Sequence, residues 1–174
     1  MIFQLKTMSP ERYRAETRRS SLILAVLFAA IAMFCAGLAV MLFGQAGGDN
    51  FKLNLGGVLL GLVLTFVLVK YYLSSQPWLA SAVYGWQLKR NLMSITNIMH
   101  KVRAQVDEQN PLAMQVLRFY HLGLTQMYLL DGNTTGLTQV TREVDLHREA
   151  MQALGMDVEQ TQLDSQWIEQ LKSL

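Results

Sequence analysis

Two long apolar runs in the first half of the chain dominate its hydropathy pattern. The first extends from Ser20 to Phe43 without a charged side chain, and the second extends from Leu53 to Leu73 with one charge, at Lys70. Because a helix rises about 1.5 Å per residue, either run is long enough to cross a hydrocarbon core of about 30 Å. The glycine-rich segment between them is typical of a turn. The pattern predicts a transmembrane hairpin over residues 20–73, with spans 20–43 and 53–73.

After the hairpin, apolar residues recur at helical spacing. The spacing predicts long helices over about 78–108, 112–130 and 137–154, and a shorter one over about 163–171. Asn110-Pro111 is typical of a helix start and Gly155 of a helix stop. Short connections favour antiparallel neighbours, so residues 74–174 should form a small helical bundle without strands. The predicted fold class is an all-α membrane protein.

The N-terminal segment 1–19 is basic. It carries five Lys or Arg against two Glu, and Ser9-Pro10-Glu11 predicts the start of a juxtamembrane helix that leads into the first span. Short flanks rich in Lys and Arg stay in the cytoplasm, and the inter-helix turn has only Lys52, so both termini should be cytoplasmic. The residues expected to contact lipid headgroups are Arg12, Arg14, Arg18, Arg19 and Lys70.

An exported or cleaved N-terminus is the competing interpretation of the first run. Residues 17–23 resemble a twin-arginine signal, and residues 44–46 resemble a small-residue cleavage site. The apolar run is longer than the core of a signal peptide. We therefore expect the hairpin to be retained.

Small residues form stripes on both predicted spans. The stripe residues expected to pack membrane helices are Ala25, Ala29, Ala32, Ala36, Gly57 and Gly61. These stripes suit packing within the hairpin, homo-oligomerisation or docking on another membrane protein. Aromatic residues follow the second span, where Tyr and Trp suit a membrane interface; they are Tyr71, Tyr72, Trp78, Tyr84 and Trp86.

Composition and charge exclude several functions. Of 174 residues, 51% are apolar and 16% charged, and the only cysteine is Cys35, so there is no intrachain disulfide or cysteine-based metal framework. From residue 107 onward, ten acidic residues outnumber four basic ones, which argues against nucleic-acid binding. No cofactor motif or catalytic nucleophile is present. The set Arg118, Tyr120 and Tyr128 suits either a docking surface or the polar side of a bundle helix.

Histidine offers the one candidate for site chemistry. Glu143 and His147 share a helical face at i, i+4, and with His121 they suggest a possible metal or ligand site. His147 also falls within the apolar seam of its helix. A histidine in that position is more often a core residue with one hydrogen bond, so no metal ligand is assigned.

Three segments carry a family resemblance: residues 83–89 (VYGWQLK), 117–123 (LRFYHLG) and 130–134 (LDGNT). With these motifs the chain resembles a family of uncharacterised Gram-negative bacterial inner-membrane proteins, a domain of unknown function with two spans and a cytoplasmic helical domain. The resemblance covers nearly the whole chain. It implies a multi-pass protein of the bacterial inner membrane and brings no activity or cofactor.

The function expected from these observations is a non-enzymatic inner-membrane scaffold, accessory or self-associating protein that presents a cytoplasmic helical bundle. Its expected partners are membrane lipid and a second copy or another membrane protein. The alternative is a small membrane-bound sensor or enzyme with a His/Glu metal or ligand site.

Overall fold

The computed structural model describes residues 2–173, and most of them are helical. Met1 and Leu174, the ends of the first and last predicted segments, lie outside the described residues. Seven α-helices and two short strands occur in chain order: β1 (Ile2–Gln4), α1 (Pro10–Phe43), α2 (Phe51–Tyr71), α3 (Ala80–Thr96), α4 (Met99–Asp107), α5 (Pro111–Asp131), α6 (Thr134–Ala153), β2 (Gln162–Asp164) and α7 (Ser165–Ser173).

Two compact units divide the chain. The helical unit comprises the residues up to Arg14 and from Tyr84 onward, and the hairpin unit comprises Ala15–Val83. The helices α1 and α2 are both long and apolar enough to cross a membrane. The predominantly helical fold and the two apolar helices agree with the sequence-based prediction.

The start of α1 is where the sequence placed it. Ser9 Oγ accepts a hydrogen bond from the Arg12 amide at 3.5 Å, and proline occupies the first helical position. The helix then continues without interruption into the apolar run and ends at Phe43. Residues 2–9 are not helical, which agrees with a helix start at Ser9-Pro10 within the basic segment 1–19.

A two-stranded antiparallel sheet was not predicted. Phe3 pairs with Leu163 at its centre, and the Leu5 amide extends the pairing with a 2.9 Å hydrogen bond to the Thr161 carbonyl. Each strand has only three residues, which is too short for an alternating pattern to be recognised. The sheet ties the N-terminus to the connection before α7.

The long helix predicted over 78–108 is divided into α3 and α4 at Asn97-Ile98. The Ile98 amide bonds to the Ile95 carbonyl, an i→i−3 bond, and Thr96 Oγ1 donates to the Leu92 carbonyl. Ser, Thr and Asn side chains compete for backbone groups and weaken a helix interior. Apolar side chains stay buried on both sides of the break, at Ile95, Ile98 and Val102.

Two buried apolar clusters hold the helical unit together. The first joins the end of α3 to α4, α5, β2 and α7, and its members include Ile95, Ile98, Val102, Ala113, Val116, Leu117, Phe119, Leu163, Ile168 and Leu171. The second joins the start of α1 to α3 and α5, through Tyr13, Tyr84, Leu88, Leu92 and Leu130. Asn110 caps α5 by accepting hydrogen bonds from the Leu112 and Ala113 amides, as the sequence predicted.

Candidate functional site

The surface of the hairpin unit is dominated by exposed apolar side chains. Within the most apolar window of each helix, only 11% of α1 and 17% of α2 is buried in the fold. Met41 is 82% exposed, Phe34 67% and Phe66 64%. Single soluble chains rarely expose a contiguous apolar surface of this kind.

Small residues bring α1 and α2 into close contact. A Cβ atom added at Gly57 would lie 2.4 Å from Ala36 Cα, and one added at Gly61 would lie 2.6 Å from Ala32 Cα. Thr65, one turn further along, is buried, and its hydroxyl donates a hydrogen bond to the Gly61 carbonyl at 2.8 Å. These two glycines therefore pack within the hairpin. Ala25 and Ala29 of the predicted stripe are exposed.

The basic residues near α1 and α2 differ in their surroundings. Arg14 belongs to the helical unit, where its Nη1 donates to the Leu129 and Leu130 carbonyls at 3.4 and 3.3 Å. This contact places a cation at the C-terminal end of α5, where the helix dipole favours it. Arg12, Arg18, Arg19 and Lys70 are exposed.

The aromatic residues after α2 do not share one environment. Tyr71 and Tyr72 are exposed, and the Lys70 ammonium lies 5.2 Å from the Tyr71 ring centroid. Trp78 and Trp86 are also exposed. Tyr84 is buried instead: its hydroxyl donates to Gln126 Oε1 at 2.7 Å and accepts from the Lys6 amide at 3.0 Å. Burial raises the pKa of Tyr84, which acts as a core residue of the helical unit.

A groove between α4, α5 and α6 is a concave site of the helical unit. Its volume is about 580 Å³. Polar lining residues are Arg103, Asp107, His121, Gln139, Arg142, Glu143 and His147, and the apolar lining residues are Val106, Leu117 and Leu146.

His121, Glu143 and His147 meet in this groove. The two imidazole rings are 5.2 Å apart and nearly perpendicular, and His121 Nε2 lies 3.7 Å from Glu143 Oε1. The same carboxylate oxygen accepts a 2.8 Å hydrogen bond from Arg103 Nη2. His147 Nε2 donates to the Met114 carbonyl at 3.0 Å. The spacing noticed in the sequence therefore produces a real cluster.

The ring of His121 has no hydrogen-bond partner among residues 2–173. It is 2% exposed, and neither of its nitrogens is hydrogen-bonded to another group in this range. Such a buried unpaired polar group costs about 1–3 kcal/mol. Burial is the largest cause that lowers the pKa of His121, to about 3, and the nearby His147, Arg118 and Arg103 act in the same direction. Burial also lowers the pKa of His147. Both rings are neutral at pH 7.

Arg118 is a charged neighbour of His121, and the sequence left its environment open. It is 4% exposed, so it is neither a docking residue nor a solvated one. Its Nε donates to the Val158 carbonyl at 2.8 Å, while its buried Nη1 has no partner among the residues that the structure describes. This guanidinium ties α5 to the connection before β2 and adds positive potential behind the two histidines.

The cluster does not have the geometry of a metal centre. Among residues 2–173, no group of three His, Cys, Asp or Glu side chains is arranged to hold a metal ion. His147 presents a protonated Nε2 to a carbonyl, so that nitrogen is not available as a ligand. The donor and acceptor groups of the groove suit a polar small molecule better than a cation.

The architecture defines the class of protein: a mainly helical chain with two apolar helices long enough to cross a membrane and a separate helical unit. The chain belongs to the family described as "Protein of unknown function (DUF3087)", which matches residues 3–168. No curated protein and no solved structure is significantly similar to it.

Proposed function

We propose that the chain is a non-enzymatic, multi-pass protein of the bacterial inner membrane that holds a helical domain at the cytoplasmic surface as a scaffold or accessory subunit. One observation carries the proposal: the apolar side chains of α1 and α2 are exposed all round the pair. Full exposure of one Leu, Ile, Val or Phe to water costs about 1.5–3 kcal/mol relative to an apolar environment. Lipid around the pair removes that cost.

Charge supports the proposed orientation. The turn between α1 and α2, residues 44–50, has no basic residue, and Lys52 follows in the first turn of α2. In contrast, Arg12, Arg18 and Arg19 precede the apolar part of α1, and Lys70 ends that of α2. Under the positive-inside rule, the turn faces the periplasm and both termini face the cytoplasm. The resemblance to inner-membrane proteins noted above points to the same compartment.

The proposed partners are membrane lipid and either a second copy or another membrane protein. Gly57 and Gly61 are occupied by contacts with Ala36 and Ala32, so a contact with a further helix has to use another surface. A purification in mild detergent followed by native mass spectrometry identifies the state. A defined oligomer or stoichiometric partner is expected, and a monomer with lipid alone contradicts the scaffold role.

Cysteine accessibility tests the topology. On a Cys35→Ser background, Ala46→Cys reports on the turn and Ala150→Cys on the helical unit, since both positions are exposed. In intact Gram-negative cells, a maleimide that crosses only the outer membrane should label position 46 and leave position 150 unlabelled until the inner membrane is opened. Labelling of position 150 in intact cells, or release of the protein by alkaline carbonate, contradicts the proposal.

A ligand sensor is the second candidate, and the unpaired ring of His121 in the groove favours it. This role is compatible with a membrane-anchored scaffold, because the groove lies wholly within the helical unit.

A further inference from the structure

The groove of the helical unit has polar groups on its floor and walls whose hydrogen-bonding capacity is unused. His121 contributes two buried ring nitrogens without partners. In the described part of the chain, the side chain of Arg142 has no hydrogen bond or ion pair, although the neighbouring Arg148 is paired with Asp145 at 3.4 Å. The side chain of Gln139, one turn before Glu143, also has no hydrogen bond among these residues.

A carboxylate already occupies part of this arrangement. Glu143 Oε1 lies 2.8 Å from Arg103 Nη2 and 3.7 Å from His121 Nε2. The Glu143 side chain is 51% exposed, so it can rotate into solvent, where water replaces its hydrogen bond from Arg103. An external carboxylate in the place of Glu143 accepts the hydrogen bond from Arg103. It is also free to lie closer to the imidazole N–H of His121 than Glu143 does.

Charge and shape limit the ligand. Arg103 and Arg142 are balanced by Asp107 and Glu143, so a single negative charge suits the groove better than a phosphate or a dianion. Val106, Leu117 and Leu146 provide an apolar strip beside the polar groups. Binding pockets commonly combine such an apolar wall with a few polar groups that fix orientation.

We infer that this groove binds a small monocarboxylate with an apolar body. Arg142 and Arg103 hold the carboxylate with charge-assisted hydrogen bonds, and the His121 N–H donates to it. The apolar body lies against Leu146 and Val106. Glu143 competes with the ligand for Arg103.

Phenylacetate is a suitable probe, and phenylacetamide is its neutral control. With the full chain in detergent at pH 7, titration calorimetry and the NMR signals of the His121 ring should detect phenylacetate, whereas phenylacetamide binds at least about tenfold more weakly because it lacks the charge. Comparable signals from both compounds mean partition into the micelle and overturn the inference. So does the absence of phenylacetate binding up to about 10 mM.

Three variants test the assigned roles. Arg142→Gln should weaken phenylacetate binding at least about tenfold, while Arg148→Gln, on the same helix and outside the groove, leaves it unchanged. Glu143→Gln removes the internal competitor and should tighten binding about three- to tenfold. Such a gain cannot arise from misfolding. Equal affinities for the wild type and Glu143→Gln, or equal losses in the two arginine variants, overturn the inference.

Discussion

Replacing Gly57 with alanine adds one methyl group at the closest approach of α1 and α2. The new Cβ would lie 2.4 Å from Ala36 Cα, 2.6 Å from the Ala36 amide nitrogen and 2.9 Å from the Cys35 carbonyl carbon. All three are backbone atoms, so no side chain can rotate away. Gly56 is the matched control, because a Cβ added there meets nothing within 4 Å.

The magnitude follows from two opposing effects. Carbon atoms pack at about 3.5–4.0 Å, so the helices have to separate by more than about 1 Å at this point. Overpacking of this kind costs about 1–3 kcal/mol. Alanine in place of glycine favours a helix by about 1 kcal/mol at either position. Gly56→Ala should therefore stabilise the pair by up to about 1 kcal/mol, and Gly57→Ala should be about 1–3 kcal/mol less stable than that control.

Energy transfer between dyes measures helix separation directly. On a Cys35→Ser background, dyes at the exposed positions Leu22 and Tyr71 report on the pair during SDS titration in mixed micelles. Gly57→Ala should lose energy transfer at a lower SDS fraction than Gly56→Ala. Coincident transitions for the two variants would refute the close packing of α1 against α2.

Three further predictions concern the helical unit, each measured by urea unfolding of the full chain in detergent. Phe3→Ala should cost about 2–4 kcal/mol, because the ring stacks on Tyr84 and contacts the edge of Phe119; an unchanged midpoint would mean that the β1 segment does not support the core. Asn110→Ala should cost about 1 kcal/mol and Asn110→Asp much less, because only the second keeps the capping oxygen; equal losses would contradict the cap. His121→Phe should be neutral or stabilising at pH 7, because it removes an unpaired buried group; a loss above about 2 kcal/mol would contradict the absence of partners.

The pH dependence of stability follows from the lowered pKa values of the two histidines. Below about pH 6.5 the two histidines bind protons in the unfolded chain but stay neutral in the folded chain. The free energy of unfolding is therefore at its full value above about pH 7 and falls on acidification. His121, with a pKa of about 3, contributes up to about 1.4 kcal/mol per pH unit between pH 6.5 and 3. His121→Phe should reduce this slope, and an unchanged slope would show that His121 is not kept neutral by the fold.

Local signals in the sequence identified three helix ends. Each signal acts through the chemistry of its own residue. Ser9 and Asn110 supply a cap acceptor, and the proline that follows each of them has a restricted φ. Gly155 adopts a left-handed conformation, with a φ of 66°. The strands and the break at Asn97-Ile98 have no comparable signal. The partners of β1 lie about 160 residues away, and the break depends on competing side-chain hydrogen bonds within a continuous apolar seam.

The sequence predicted only part of the candidate site. Helical spacing places Glu143 and His147 on one face, but spacing within one helix cannot show that His121 of α5 meets them or that Arg103 of α4 reaches Glu143. Two residues are buried that the sequence suggested for a membrane interface or a surface, Tyr84 and Arg118. Their hydrogen bonds come from segments distant in the chain, at Lys6 and Val158.

The unpaired imidazole of His121 distinguishes the groove from an ordinary surface depression. A phenylalanine would fill the same space among Leu117, His147 and their neighbours without the desolvation cost of two ring nitrogens. Arg118 and Arg103 make protonation of the buried ring still less favourable. His121 therefore lowers the stability of the fold at acid pH, and at neutral pH its unpaired nitrogens add no stability. A ligand that accepts a hydrogen bond from the ring offsets the cost only when bound. Occupancy of the groove should therefore raise the unfolding free energy of the helical unit, and this is how the proposed membrane-anchored scaffold would respond to a small molecule.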